Sequence, residues 1–233
     1  MIANKIITAV IPVRAGSRRL PNKNILPFGD SNLLVHKIRQ LKQVDLIDKI
    51  YVSSDSDLML DMAKEEGVFT HKRAIEYADD KTKSFNEVVE NVALNVDGDI
   101  LMWTPCVCPL VKPDSYKSAI QNYEEFVLNQ KTNDSLISVR LFKEYLWNET
   151  KPVNYELGKE HVISQNLPNW YLVTNGIYMA SKELMIRNKY FFGENPYKFV
   201  LNKKEAVDID DAEDFEIAKV LYMQSNKNNC NGI

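Results

Sequence analysis

A dense group of basic residues lies between positions 14 and 24, directly after an apolar, β-branched run. Gly16 and Ser17 let the backbone of this segment approach a ligand, so that its N–H groups can donate to phosphate oxygens. A triphosphate needs such a combination of fixed positive charge and rigid donors. The segment therefore predicts a phosphate-binding loop, with a solvated basic loop as the alternative. Its cations are Arg14, Arg18, Arg19 and Lys23.

A pair of aspartates near the C-terminus, Asp208 and Asp210, flanks Ile209 in an otherwise apolar stretch. If residues 206–209 form a strand, side-chain alternation places both carboxylates on one face. Two adjacent carboxylates repel each other unless a cation lies between them, and Mg²⁺ is the usual partner of carboxylates and substrate phosphates. The pair therefore predicts a Mg²⁺ site that acts on a phosphoryl group, with helix capping as the alternative.

The elements that position these residues alternate between strand and helix patterns. Strands are predicted at 5–13, 49–53, 68–72 and 99–103, and helices at 32–43, 57–66 and 85–96. Such alternation is typical of βαβ units with a mostly parallel sheet, which makes the chain an α/β protein. Ligands bind at the carboxyl ends of strands in such sheets, where the basic loop lies. Asp55 ends the second strand at this edge, either as a ligand-binding residue or as a helix cap.

The second half of the sequence is less regular. Asp114 is predicted to cap a helix that runs to 129, and strands are predicted at 136–141, 171–179, 198–201 and 206–209. Residues 211–223 form a final amphipathic helix, with Asp211, Glu213 and Asp214 at its positive end. The simplest interpretation is one domain over 1–224, with an excursion at 143–170 and a flexible tail at 225–233.

Bulk composition excludes several classes of protein. The net charge is −3, from 32 acidic and 29 basic residues, so no basic field favours a nucleic-acid partner. Three cysteines make a poor disulfide framework, and no apolar run approaches the roughly 20 residues that span a bilayer. His36, His71 and His161 lack partners at metal or triad spacing. We therefore expect a cytoplasmic protein with reduced thiols and no membrane partner.

The basic loop also carries a resemblance to a known family. Residues 11–24 read IPVRAGSRRLPNKN, which resembles the IPARxGSxRLPxKN signature of the acylneuraminate cytidylyltransferases. Residues 53–55, the stretch 73–80 with Ser84, and residues 206–215 are similar to further segments of that family. The resemblance implies a three-layer nucleotidyltransferase fold of the nucleotide-diphospho-sugar transferase type, with a small inserted subdomain. It also implies a homodimer.

The same resemblance assigns roles to individual residues. Asp208 and Asp210 match the metal-binding positions, and the catalytic set consists of this pair with Arg14 and Lys23. Arg73 and Ser84 are implied to contact the cytosine or the ribose, and Asn24 to face the sugar. The implied CTP site as a whole comprises Arg14, Ala15, Gly16, Ser17, Arg18, Lys23, Asn24, Arg73 and Ser84.

The acceptor region departs from the family pattern. Residues 103–110 read WTPCVCPL where relatives commonly have LQPTSPL, so that Pro105 replaces an acceptor-facing glutamine. Residues 172–178 lack the arginine of the family's RPNGAIY, which leaves Arg140 or Lys143 as substitutes. Trp147, Trp170, Tyr171 and Tyr178 line the acceptor pocket in one interpretation and belong to the core in the other.

The predicted reaction joins CMP from CTP to a small acidic sugar of the sialic or nonulosonic type, with release of pyrophosphate. A cytidylyltransferase that acts on another small anion, such as a phosphonate, is the nearer alternative. A nucleotide-binding protein without catalysis is the alternative from another class.

Overall fold

The structure, a computed structural model, describes residues 2–17, 19–79, 81–158 and 160–230, with only the backbone of 226–230. Its strands are β1 (Ile7–Pro12), β2 (Pro27–Phe28), β3 (Ser31–Asn32), β4 (Lys49–Ser54), β5 (Phe69–Lys72), β6 (Ile100–Trp103), β7 (Ser135–Phe142), β8 (Trp170–Ser181) and β9 (Pro196–Val200). Its α-helices are α1 (Leu33–Lys42), α2 (Asp57–Glu65), α3 (Phe85–Asn95), α4 (Pro113–Tyr123), α5 (Lys182–Asn188) and α6 (Ala212–Cys230).

Seven strands form the central sheet in the order β5-β4-β1-β6-β8-β7-β9. β8 runs antiparallel to both of its neighbours, whereas the other pairings are parallel. The prediction of a mostly parallel sheet is therefore confirmed. Because β1, β4 and β6 lie side by side, the loops at their carboxyl ends meet at one edge of the sheet.

Helices cover both faces of the sheet and produce two apolar clusters. Ile11 of β1 packs in a cluster with residues of α1, α2, α4 and α6. Val10, its neighbour, points to the other face and packs with residues of α3 and α5. Both faces of β1 are therefore buried, which explains its continuous β-branched run. The result is the predicted three-layer α/β fold.

One predicted strand, residues 206–209, is wrong. The Ala206 N–H donates to the Asn202 carbonyl at 3.1 Å, a turn bond that takes the segment out of the sheet. The Ile209 N–H donates to the carbonyl of Val107, a loop residue, at 2.9 Å. The segment is thus an extended strap, defined here as residues 206–210, which crosses the loop after β6.

Two helix ends also differ from the sequence prediction. α4 has Lys112 as its N-cap and Pro113 in its first turn, so Asp114 does not cap it. Asp114 instead lies in the first turn of the helix, directly after Pro113, where its negative charge interacts favourably with the helix dipole. The last helix continues to Cys230, beyond the predicted end at Met223.

The excursion at 143–170 contains little regular structure. Its described residues include a short 3₁₀ turn at Ser164–Asn166 and an isolated bridge between Trp147 and Pro152, before β8 begins at Trp170. No helix in the described part of the chain is long and apolar enough to cross a membrane.

Candidate active site

A cavity of about 860 Å³ opens at the carboxyl ends of β1 and β6. Its walls come from the loop after β1, the segment after β5, the start of α3, the loop after β6, β8 and the strap. Among the sequence-predicted residues it brings together Arg14, Ser17, Lys23, Asn24, Arg73, Ser84, Asp208 and Asp210. Arg18 lies outside the described residues.

The basic loop is held in shape by its neighbours. Gly16 has φ +72°, a conformation that glycine adopts without steric cost. The Ala15 N–H donates to Asp55 Oδ1 at 3.0 Å, so Asp55 braces the loop, and Ser56 caps α2 instead. Ala15 and Gly16 shape the loop without lining the cavity.

Asn24 links this loop to the loop after β6. Its side-chain amide donates to the Arg14 carbonyl at 3.1 Å, and its Oδ1 accepts from the Cys106 thiol at 3.2 Å. Asn24 is 7% exposed, so most of its polar capacity is used inside the protein. Asn24 is therefore a part of the cavity wall whose hydrogen bonds order the site.

Lys23 joins the basic loop to the strap. Its Nζ donates to the Ile209 carbonyl at 2.6 Å and lies 3.9 Å from Asp210 Oδ1. Arg19 pairs more closely with the same carboxylate, at 2.6 Å. Arg19 and Lys23 of the basic loop, called the cationic loop from here on, thus meet the two aspartates, which lie 185 or more residues further along the sequence.

Asp208 is the more enclosed carboxylate of the pair. Its Oδ2 accepts from the amide of Asn175, which is itself held by the Tyr178 hydroxyl at 2.9 Å. Its Oδ1 is buried and has no hydrogen-bond partner. Burial raises the pKa of Asp208, and the nearby Asp210 carboxylate raises it further, while Asn175 opposes the shift. An oxygen in this state is suited to a cation.

Arg73 forms the opposite side of the cavity. It is 5% exposed, its guanidinium donates to the Val13 carbonyl, and its Nε is buried without a partner. Burial lowers the pKa of Arg73 to about 10, with Arg14 lowering it and Asp55 raising it. Arg73 is therefore not a solvated surface arginine, and it lines the cavity.

Aromatic side chains form the remaining wall. Phe191 packs against Tyr178 with ring centroids 4.2 Å apart, against Phe85 at 5.5 Å and against Trp103 at 6.2 Å. Pro105 and Val107 extend this wall towards the strap. Of the aromatic residues singled out from the sequence, Tyr178 lines the cavity, whereas Trp147, Trp170 and Tyr171 are exposed elsewhere.

Comparisons with known proteins identify the family. A profile described as cytidylyltransferase matches residues 8–229, nearly the whole chain. The chain belongs to the cytidylyltransferase family. An N-acylneuraminate cytidylyltransferase of Escherichia coli is 26% identical over 227 residues, which cover 95% of this chain and 53% of that protein. A pseudaminic acid cytidylyltransferase of Campylobacter jejuni is 27% identical and covers 91% of this chain and 94% of its own length.

The chain thus spans about half of the Escherichia coli relative and nearly all of the Campylobacter one. Among solved structures, a CMP:2-keto-3-deoxy-manno-octonic acid synthetase in complex with CTP superposes with a TM-score of 0.70. Its sequence identity is 15%, with 94% of this chain and 99% of that chain covered, so this likeness concerns the fold.

Sequence reasoning missed several residues that this cytidylyltransferase places at the cavity. Asn175 lies in the segment already compared with the family. Nothing in the sequence indicated that its side chain would contact Asp208. Phe85, Lys83 and Phe191 line the cavity because of packing between α3 and the loop after α5. Lys143, predicted as an acceptor-binding substitute, donates instead to the Gln165 and Leu167 carbonyls at 3.0 and 2.6 Å.

Ser84 both lines the cavity and caps α3. Its hydroxyl accepts from the Glu87 N–H, and the Glu87 carboxylate accepts from the Ser84 N–H at 3.0 Å, which completes a capping box. The pKa of Glu87 is lowered to about 2, first by the Ser84 backbone and then by Lys83. Ser84 is thus placed by the start of α3.

Replacing Ser84 by alanine is expected to lower the free energy of unfolding by about 1 kcal/mol, because a helix cap is lost. It should also weaken CTP binding, because α3 then frays next to the cavity. Ser181→Ala is the matched control, since the Ser181 side chain accepts from the third amide of α5 as Ser84 does in α3, but Ser181 does not line the cavity. Urea unfolding should show similar losses in both variants, and calorimetric titration should show weaker CTP binding in Ser84→Ala alone. Equal CTP affinity in the two variants would contradict the placement of Ser84 at the nucleotide.

Proposed function

We propose that this chain transfers CMP from CTP to an acidic sugar of the sialic or nonulosonic type and releases pyrophosphate. The observation that carries the proposal is the meeting of the cationic loop with the aspartate strap through Lys23, in a cavity large enough for a nucleotide and an acceptor. The family membership supports the same chemistry. A nucleotide-binding protein without catalysis would have no use for an enclosed carboxylate with an unpaired oxygen.

In the proposed reaction an acceptor hydroxyl oxygen attacks the α-phosphorus of CTP and releases its proton to solvent, and the bond from this phosphorus to the oxygen that bridges it to the β-phosphate breaks. The electron pair leaves with pyrophosphate, whose charge is offset by Arg14 and Lys23. Arg73 and Ser84 are proposed to hold the base or the ribose, so that the α-phosphorus faces the strap. No covalent enzyme intermediate is required, because positioning and charge stabilisation suffice.

Asp208 and Asp210 are proposed to hold Mg²⁺. No group of three or more His, Cys, Asp or Glu side chains within the described residues forms a metal cage of its own. Two carboxylates still fit Mg²⁺, which usually takes one or two protein carboxylates and fills its other positions with phosphate oxygens and water. The buried, unpartnered Oδ1 of Asp208 supports this assignment. When bound, the ion would neutralise charge on the α-phosphoryl group.

The acceptor is proposed to lie between the strap and the aromatic wall. Pro105 lines the cavity where the family commonly has glutamine, so this wall offers packing rather than amide hydrogen bonds. The two sequence relatives are named for N-acylneuraminate and for pseudaminic acid, both acidic sugars. The departure at Pro105 also keeps another small anion, such as a phosphonate, as the second candidate acceptor.

A homodimer in the cytoplasm remains part of the proposal. Several large apolar side chains on the excursion and the adjoining part of β8 are at least 41% exposed, as an unpartnered interface would be: Trp147, Leu157, Ile163, Trp170, Leu172 and Val173. Cys106 and Cys108 are buried free thiols, which supports a reducing compartment. Light scattering would give the oligomeric state, and a monomer at assay concentration would contradict the dimer.

Pyrophosphate release tests the function directly. The protein is mixed with Mg²⁺, one of CTP, ATP, GTP or UTP, and one member of a panel of nonulosonic acids, other acidic sugars and phosphonates. We expect release with CTP and a nonulosonic acid, and a rate lower by about 100-fold or more from an Asp208→Asn sample, which controls for contaminating activity. Release only with a phosphonate would overturn the sugar, and absence of CTP binding would overturn the proposal.

A further inference from the structure

A buried lysine, Lys37 of α1, lies behind the active site and is not part of its wall. Its side chain is completely buried, and its Nζ donates to the Cys108 carbonyl at 2.8 Å and to the Tyr116 hydroxyl. Within the described chain no carboxylate pairs with it, and burial lowers the pKa of Lys37 to about 8. A buried ammonium without a counter-ion costs stability, so its presence suggests a role other than stability.

Cys108, whose carbonyl accepts from Lys37, belongs to the loop after β6. This loop, residues 104–111, is called the hub loop here. Two other side chains on the same face of α1 grip this loop. Gln40 donates to the Pro109 and Val111 carbonyls at 2.7 and 2.9 Å, and a ring nitrogen of His36 lies 3.0 Å from the Pro109 carbonyl oxygen. The hub loop is therefore fixed to α1 through three of its carbonyl groups.

The hub loop contacts both halves of the active site. Cys106 donates to Asn24, which holds the cationic loop. The Val107 carbonyl accepts from the N–H of Ile209 at 2.9 Å, and Ile209 separates Asp208 from Asp210. The carbonyl that Lys37 holds and the carbonyl that holds the strap thus belong to consecutive peptide units.

We propose that Lys37 is a positioning residue that fixes the aspartate strap through the Cys108 and Val107 carbonyls. It touches neither nucleotide nor acceptor and acts by setting where the Val107 carbonyl lies, and therefore where Asp208 and Asp210 lie. Misplacement of catalytic groups by about 1 Å can cost about 100-fold in rate, so a small shift of the hub loop matters. The inference rests on the proposed function for its effect on turnover.

Amide hydrogen exchange of the strap tests this inference without any assay of function. In Lys37→Met, an apolar side chain of similar length, the Ile209 N–H is expected to exchange about 10-fold faster or more, because the Cys108 carbonyl is released and the adjacent Val107 peptide can then shift. Ile38→Val is the matched control, since Ile38 is a completely buried neighbour in α1 whose truncation loosens the same apolar cluster but removes no hydrogen bond to a hub-loop carbonyl. Exchange at Ile209 should stay near the wild-type rate in this control.

Turnover provides the second readout. With an active acceptor, we expect Lys37→Met to lower kcat by about 10- to 100-fold while the KM for CTP changes by less than about 3-fold, because the cationic loop keeps its own contacts. Ile38→Val should keep both values. If Lys37→Met does not fold, Lys37→Gln replaces it, since its shorter side chain also fails to reach the Cys108 carbonyl.

The outcomes separate this inference from the proposed function. Unchanged exchange at Ile209 in a folded Lys37 variant would overturn the positioning role, whatever the enzyme does. An equal loss of turnover in Lys37→Met and Ile38→Val, or failure of both Lys37 variants to fold, would assign Lys37 to the fold alone and overturn the role too. Faster exchange at Ile209 in a chain that releases no pyrophosphate would support the positioning while the proposed function fails.

Discussion

Replacing Asp208 by asparagine is expected to lower kcat by about 100-fold or more while leaving the protein folded. In the wild type the Asn175 amide donates to Asp208 Oδ2. The asparagine keeps the size of the side chain and an oxygen that can accept this bond. It removes the negative charge that a divalent cation needs. Asp210→Asn is expected to act in the same direction, because Asp210 is the second proposed ligand and the partner of Arg19.

The stability of this variant should move the other way. Burial raises the pKa of Asp208 above that of an unfolded aspartate, so its ionisation disfavours the folded state. This cost is fully present above the folded-state pKa and disappears as the pH falls below the unfolded value of about 3.9. At neutral pH without metal, the Tm of Asp208→Asn should therefore equal or exceed that of the wild type.

A thermal-shift experiment with and without Mg²⁺ and CTP measures both effects. Mg²⁺ with CTP should raise the wild-type Tm more than CTP alone, whereas the two additions should be equal in Asp208→Asn. Glu213→Gln is the control, since it removes a nearby exposed carboxylate at the start of α6, and Glu213 does not line the cavity. A metal-dependent shift that survives in both aspartate variants would remove the metal assignment.

The sequence was sufficient to predict the position of the cationic loop, because a local pattern and the topology of the sheet both point to the same place. A β-branched strand followed by a loop with four cations predicts its place at a sheet edge, because strand order and loop position follow from the βαβ rule. For the strap, the reasoning was partly wrong. Residues 206–209 are apolar enough for a strand, but the turn at 203–206 uses the amides of Ala206 and Val207, and the Ile209 amide bonds to Val107. Asp208 and Asp210 still both line the cavity.

Residues that act through packing left no pattern to find. Lys37 lies in an amphipathic helix, where a lysine ordinarily extends into solvent, and its complete burial follows from the hub loop that crosses α1. Asn24 resembles a ligand-binding residue in its motif, yet its polar atoms contact Arg14 and Cys106. Contacts between segments about 70 or more residues apart depend on tertiary structure, which periodicity and motif spacing do not encode.

Replacing Lys23 by methionine is expected to lower kcat/KM by about 100-fold or more, through two separate losses. The first is a positive charge that is proposed to face the triphosphate, on a side chain that is 15% exposed, where solvent screening is weak. The second is the bond from Nζ to the Ile209 carbonyl, which ties the strap to the cationic loop at 2.6 Å. Lys23 is thus proposed to act on CTP and on the aspartates together.

Calorimetric titration of CTP without acceptor separates the two losses. A charge that binds phosphates should weaken CTP binding by about 10-fold or more on removal, whereas Lys64→Met, which removes an exposed charge paired with Asp61, should leave the Kd unchanged. If Lys23→Met binds CTP as tightly as the wild type and loses only kcat, its phosphate role is wrong and the strap bond carries the effect. If Lys23→Met loses both CTP affinity and kcat while Asp208→Asn still binds CTP, Lys23 contributes to nucleotide binding as well as to phosphoryl transfer.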